Sequence, residues 1–232
     1  MRLGLKAGSL AILAVLFTFP QSTRAADDAG GAWLILATSD HFAADAEAPR
    51  WRYWFDGHYR HFERNDGFSQ FVLRPAVGYD LNDNVTAWFG YTLVGTEVSG
   101  GPDRREQRVW QQLTWSTAGW RDGRLSFRAR LMERWRDDGD DMALTARIQA
   151  KYALPMGQGL TFAASVEPFV DLRDTDWGVD TGLTQFRTTL GVAFRVNERT
   201  RLETGYMHQH FFRDSAQDQA NHLAYFNFNL SL

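Results

Sequence analysis

"RLSFRARLMERWR", residues 124–136, carries five arginines in thirteen positions. Arg124, Arg128, Arg130, Arg134 and Arg136 are all even-numbered, with Ser126 and Met132 among them. The odd positions read Leu125, Phe127, Ala129, Leu131, Glu133 and Trp135. Strict alternation over this length is a β-strand with one oily face and one charged face. A helix would scatter the same apolar residues around its cylinder. One face therefore meets hydrocarbon, and the other meets surroundings that accept a row of guanidinium groups.

The same alternation recurs from residue 51 to the end. "RWRYWFDGHYRHF" sets Trp51, Tyr53, Phe55 and Tyr59 against Arg52, Asp56, His58 and Arg60. "FVLRPAVGYDL" sets Phe71, Leu73, Val77 and Tyr79 against Arg74 and Asp80. Comparable segments follow at 85–93, 106–115, 144–152, 160–171, 185–195, 201–206 and 224–232, and none reads as a helix. "LNDN", "STAGWRDG", "PMGQG" and "NERT" are short connections that alternate with longer polar or acidic ones such as "VGTEVSGGPDRRE", "RDDGDD", "RDTDWGVDTG" and "FRDSAQDQAN".

The start of the chain reads as an export signal. Arg2 and Lys6 precede the apolar "AGSLAILAVLFTF", and Thr23 and Ala25 stand at the −3 and −1 positions of a cleavage site. The apolar run is too short for a spanning helix, which needs about 20 residues. Residues 1–25 are thus expected to be a signal peptide and 26–232 a single barrel domain, with an N-terminal segment 26–50 and the main strands in 51–232. Removing residues 1–25 takes three basic and no acidic residues, which lowers the net charge from −3 to −6. Cysteine is absent, which excludes disulfides and thiolate metal sites.

Strands of roughly ten residues, with short turns at one end and longer loops at the other, are the pattern of an outer-membrane β-barrel. The 14 % aromatic content, with nine tryptophans, suits interfacial girdles. A soluble sandwich or lipocalin-like barrel is the alternative; it would turn its apolar face inward and put the arginines in water. The reading is all-β: a transmembrane, antiparallel, up-and-down barrel of 10–12 strands in the bacterial outer membrane. Ten strands are counted from Trp51 onward. "GAWLILATSDHF" (31–42) is an eleventh candidate, but it runs the wrong way for an N-terminus left in the periplasm. Because bacterial barrels have even strand numbers, this segment is expected either to be an addition to ten strands or to belong to a set of twelve.

The chain resembles a family of uncharacterised bacterial outer-membrane barrels, domain of unknown function 2490. The resemblance rests on Trp33, "RPAVGYDLNDNVTAWFGYT", "EQRVWQQLTW", "RLSFRARLMERWR", "GYMHQ" and "NHLAYFNFNLSL", in that order over nearly the whole chain after residue 25. It implies the barrel fold and brings no settled activity. The chain ends in Leu232, whereas barrel-assembly signals usually end in an aromatic residue.

Function must then come from the inward face. Thirteen cations stand there against six acids, although the chain is net negative, so the remaining acids sit in loops. Arg74, Arg108, Arg128, Arg130, Arg134, Arg147, Arg187, Arg195 and Arg201 are the candidate solute-binding residues. Guanidinium groups in a low-dielectric wall attract anions and grip carboxylate or phosphate through their planar fork. The expected function is a channel or binding site for small anionic solutes such as acidic sugars. The alternative is a plugged barrel with a structural or lipid-modifying role on phospholipid or lipopolysaccharide. No catalytic constellation declares itself: Ser126, Ser165 and His58 face inward without a clear triad, and His61, His208 and His210 fall on the outward register. Asp174, Asp176 and Asp180 around Gly178 echo a calcium loop but lack the closing Glu. No metal or cofactor is expected. The expected partners are outer-membrane lipid, lipopolysaccharide and the barrel-assembly machinery; acidic loops speak against nucleic acid, and the barrel is expected to be a monomer.

Overall fold

In the computed structural model the described residues are 26–42, 50–63, 68–98, 100–213 and 217–231. The expected signal peptide (1–25) and the terminal Leu232 lie outside them.

Alternation builds eleven strands: β1 (Asp27–His41), β2 (Trp51–Phe62), β3 (Phe68–Asn82), β4 (Val85–Thr96), β5 (Arg104–Ala118), β6 (Arg124–Arg136), β7 (Ala143–Gly157), β8 (Leu160–Asp171), β9 (Gly182–Asn197), β10 (Thr200–Phe211) and β11 (Gln219–Leu230). Each pairs with its neighbours in sequence, antiparallel, and β1 closes on β11 to complete a barrel. The arginine strand is β6, and its register with β5 runs unbroken from Glu106↔Arg136 to Ala118↔Arg124.

Eleven strands fall within the expected 10–12, and they correct the choice between ten and twelve for residues 31–42. Residues 31–42 are neither an addition nor one member of an even set, because β1 is the eleventh wall strand. An odd meander brings its first and last strands together in the same direction. The β1–β11 ladder is accordingly parallel, from Asp27↔Gln219 to Thr38↔Leu230. Closure leaves no strand edge with unpaired amides. The start of β1 therefore stands at the end of the barrel that carries the longer loops, and the end of β11 at the opposite, short-turn end.

The faces follow the parity of the sequence. Phe89, Ile148, Leu36 and Leu190 are 60, 58, 50 and 52 % exposed on the outside, whereas Trp110, Arg130 and Glu167 are almost wholly buried inside. Outward aromatics gather near both ends: Trp51 with Tyr79 and Trp115 with Phe127 at the short turns, and Tyr59 with Phe71 toward the loops. The tight β7–β8 turn is made possible by Gly157 and Gly159, whose φ of +83° and +77° disfavour a side chain.

Candidate functional site

The lumen is divided lengthwise. On the β2–β6 side it is packed by Trp54, Ala76, Trp88, Trp110 and Met132. The indoles of Trp88 and Trp110 lie on Gly78 and Gly90, where any Cβ would collide with the ring. Trp88 and Trp110 donate their N–H groups to Thr114 and Thr92, each at 3.0 Å. Arg130 belongs to this block: its guanidinium lies 3.9 Å from the Trp110 ring centroid and donates to Gln112 at 2.7 Å.

The other part of the lumen is hollow. A cavity of about 790 Å³ is walled by residues of all eleven strands, from Phe211, Arg213 and Gln219 at the loop end to Asn229 and Ser231 at the short-turn end, and it borders the tryptophan block at Trp54, Trp88 and Met132. A vestibule of about 390 Å³ at the short turns, lined by Arg52, Asp83 and Arg124, shares Trp54, Arg128, Gln149 and Lys151 with it.

Four carboxylates organise the cations around these spaces. Glu167 on β8 accepts from Arg128 at 2.7 Å, from Arg147 at 2.8 and 3.1 Å, and from Arg187 at 3.4 Å, so three guanidinium groups share one buried acid. Glu106 accepts from Arg108 at 2.8 Å and Arg134 at 2.6 Å. Glu203 accepts from Lys151 at 2.8 and 2.5 Å and from Tyr225 at 3.2 Å. Asp56 accepts from Arg74 and Trp54, each at 2.9 Å. Next to it, Trp33 donates to His58 Nδ1 at 2.8 Å. The other ring nitrogen, Nε2, lies 3.0 Å from Asp56 Oδ1 and 2.8 Å from Arg74 Nη2. Among the described residues, Arg60 and Arg130 have no carboxylate within ion-pair distance. Arg60 Nη1 donates to the neutral Gln70 at 2.6 Å, and its guanidinium lies 3.8 Å from the Trp33 ring centroid.

Of the nine arginines read from the sequence as solute-binding, Arg74, Arg108, Arg128, Arg134, Arg147 and Arg187 line the cavity. Arg130 is sealed in the tryptophan block. Arg195 and Arg201 are exposed cross-strand partners at the short-turn rim and line neither space. The sequence reading left Arg60 out of the candidate set and missed the inward tryptophans entirely. A signal for the latter was present, because Trp88 and Gly90 sit on the even, inward register of "VTAWFGYTL", and a glycine on that register makes room for an indole.

At the loop end two connections clasp each other. Asp176 accepts from the backbone amides of Asp140 at 2.9 Å and Asp141 at 3.2 Å, and Asp141 accepts in return from the Asp176 amide at 3.0 Å. Trp177 donates to the Asp141 carbonyl at 2.8 Å and packs on Ala143 and Val179, with Arg136 4.6 Å from its ring centroid. The amides of Asp140 and Asp141 hold the Asp176 carboxyl below its ordinary range, and Thr181 does the same for Asp174. Asp174 and Asp176 thus accept from loop groups. Among the described residues no group of three histidines or acids is arranged to hold a metal.

Residues 30–221 match the family described as Protein of unknown function (DUF2490). The chain belongs to this family. An uncharacterized protein of Methylorubrum extorquens is 31 % identical over 144 residues, which are 61 % of this chain and 63 % of that protein. The chain thus spans less than two thirds of that relative's length. No solved structure matches.

Proposed function

We propose that this DUF2490 barrel resides in a bacterial outer membrane and that its lumen binds small anionic solutes and passes them along its cavity. The membrane setting is supported by a closed wall with no free edge, an apolar outer face and aromatics near both rims. The observation that carries the solute reading is the excess of guanidinium over carboxylate around a cavity that reaches both ends. Glu167 is shared by three arginines, and among the described residues the partners of Arg60 are neutral. In a low-dielectric wall such an excess draws anions in, and the cavity volume suits a small organic acid or an acidic monosaccharide.

A second reading, a closed barrel whose interior serves stability, is favoured by the tryptophan block and the loop clasp. The lipid-modifying version of it lacks a nucleophile, because among the described residues no serine hydroxyl hydrogen-bonds a histidine. Uptake into liposomes separates the two readings. The anion reading requires glucuronate to enter barrel-bearing vesicles faster than glucosamine of similar size. Equal, background entry of both would leave the structural reading.

A further inference from the structure

Most cations along the cavity are already matched: Arg74 by Asp56, Arg108 and Arg134 by Glu106, Lys151 by Glu203. Among the described residues Arg60 has no carboxylate partner, and Arg187 shares Glu167 with two other arginines at a longer 3.4 Å; these two meet at one indole. Arg60 is the direct cross-strand partner of Trp33. Arg187 reaches the same ring from β9, with its guanidinium 4.8 Å from the centroid, against 3.8 Å for Arg60.

We infer that Arg60 and Arg187, resting together on Trp33, form a subsite for a solute carboxylate; this rests on the anion-binding reading of the lumen. Arg60 Nη1 is held by the Gln70 side chain, and Nη2 stands 3.4 Å from His58 Nδ1, an atom already accepting from Trp33. Arg187 is the loosest of the three partners of Glu167, at 3.4 Å from Oε2, while Arg128 and Arg147 share Oε1 at 2.7 and 2.8 Å. The Gln209 amide, in the orientation that satisfies it, accepts from Arg187 Nε and Nη2 at 3.1 and 3.0 Å. The nearest groups holding the pair, apart from the shared Glu167, are therefore neutral amides and an aromatic ring.

Two guanidinium groups gathered at one indole repel each other, and contact with the ring offsets only part of that. An anion within reach of both relieves the repulsion. Both arginines, with Trp33, Gln70 and Gln209, line the cavity, so the place is reachable from it. The planar forks favour a planar, bidentate acceptor, which is a carboxylate. Gln70 and Gln209 act as positioning residues that aim the forks, and Trp33, tied to His58, gives them a fixed floor.

The test is calorimetric titration of the full chain, refolded into detergent micelles, with glucuronate, glucose and inorganic phosphate. The panel is the wild type, Arg60→Gln, Arg187→Gln and the exposed-turn control Arg199→Gln. Glucuronate should bind the wild type and Arg199→Gln alike, more tightly than phosphate, and glucose should not bind. Each subsite variant should weaken glucuronate on the order of tenfold, the loss of one charge-assisted contact. If either variant fails to fold, Arg60→Lys, which keeps the charge but loses the fork, should still weaken glucuronate relative to wild type. Undiminished glucuronate binding in the folded subsite variants, or phosphate bound more tightly than glucuronate, would overturn the subsite and leave the lumen reading intact. Failure of every anion to bind the folded wild type would overturn both.

Discussion

Glu167→Gln is the most informative single change. Glu167 is 1 % exposed and accepts from Arg128, Arg147 and Arg187. The amide removes the charge while keeping the shape, and it leaves three guanidinium groups facing one another. Breaking a buried pair by deleting one partner costs about 3–5 kcal/mol. Three cations share the loss here, but the neighbouring cavity admits water to part of them, so a value within that range is expected rather than a multiple of it. The assay is urea unfolding of the barrel in lipid vesicles, followed by tryptophan fluorescence. A second result separates loss of charge from simple damage, because an external anion should replace the missing carboxylate. At one fixed concentration glucuronate should raise the stability of Glu167→Gln by more than that of wild type, through tighter binding to the variant. A Glu167→Gln barrel within about 0.5 kcal/mol of wild type, the scatter of a neutral surface change, would mean that water already solvates these arginines and that Glu167 organises nothing.

Other expectations follow from separate parts of the molecule. Ile148→Arg places a charge on the outer face where the side chain is 58 % exposed; in vesicles it should cost about 2–4 kcal/mol at mid-membrane depth, whereas a water-facing wall would show almost no change in urea midpoint. Gly90→Ala drives a Cβ into the buried Trp110 ring and should destabilise by about 1–3 kcal/mol through overpacking, read from the same unfolding curves. The loop clasp should respond to acid. The Asp176 carboxyl is held below its ordinary 3.8 by backbone amides, so its contribution is fully present above that pH and is lost as pH falls through the lowered folded value. Hydrogen exchange at Asp140 and Asp141 should quicken over that interval in wild type, and Asp176→Asn should exchange fast at neutral pH as well.

Much of this architecture is legible in the alternation of the chain. The parity that puts Arg128 and Arg130 on one face and Leu131 and Trp135 on the other holds in the barrel, and the division into short turns and longer loops holds apart from the nine-residue β1–β2 connection at the short-turn end. Parity says which way a side chain points, but not what stands opposite it across a lumen. The sharing of Glu167 among Arg128, Arg147 and Arg187 joins strands β6, β7, β8 and β9, and no local spacing announces it. Arg130 and Arg147 look equivalent by pattern and are direct cross-strand partners, yet one is walled in by Trp110 and the other lines the cavity. The eleventh strand was hidden by a rule about even numbers. β1 obeys the alternation, with Leu34 and Leu36 outward and Trp33 inward, but its parallel match to β11 is a property of closure and not of either segment.

A lumen with this excess of guanidinium groups should favour anions over cations. Planar-bilayer recording of the refolded barrel under a salt gradient reads that preference. Unitary steps with a reversal potential displaced toward that of chloride are expected. A displacement toward the cation's potential, or silence from a barrel shown to be folded and inserted, would contradict the anion reading.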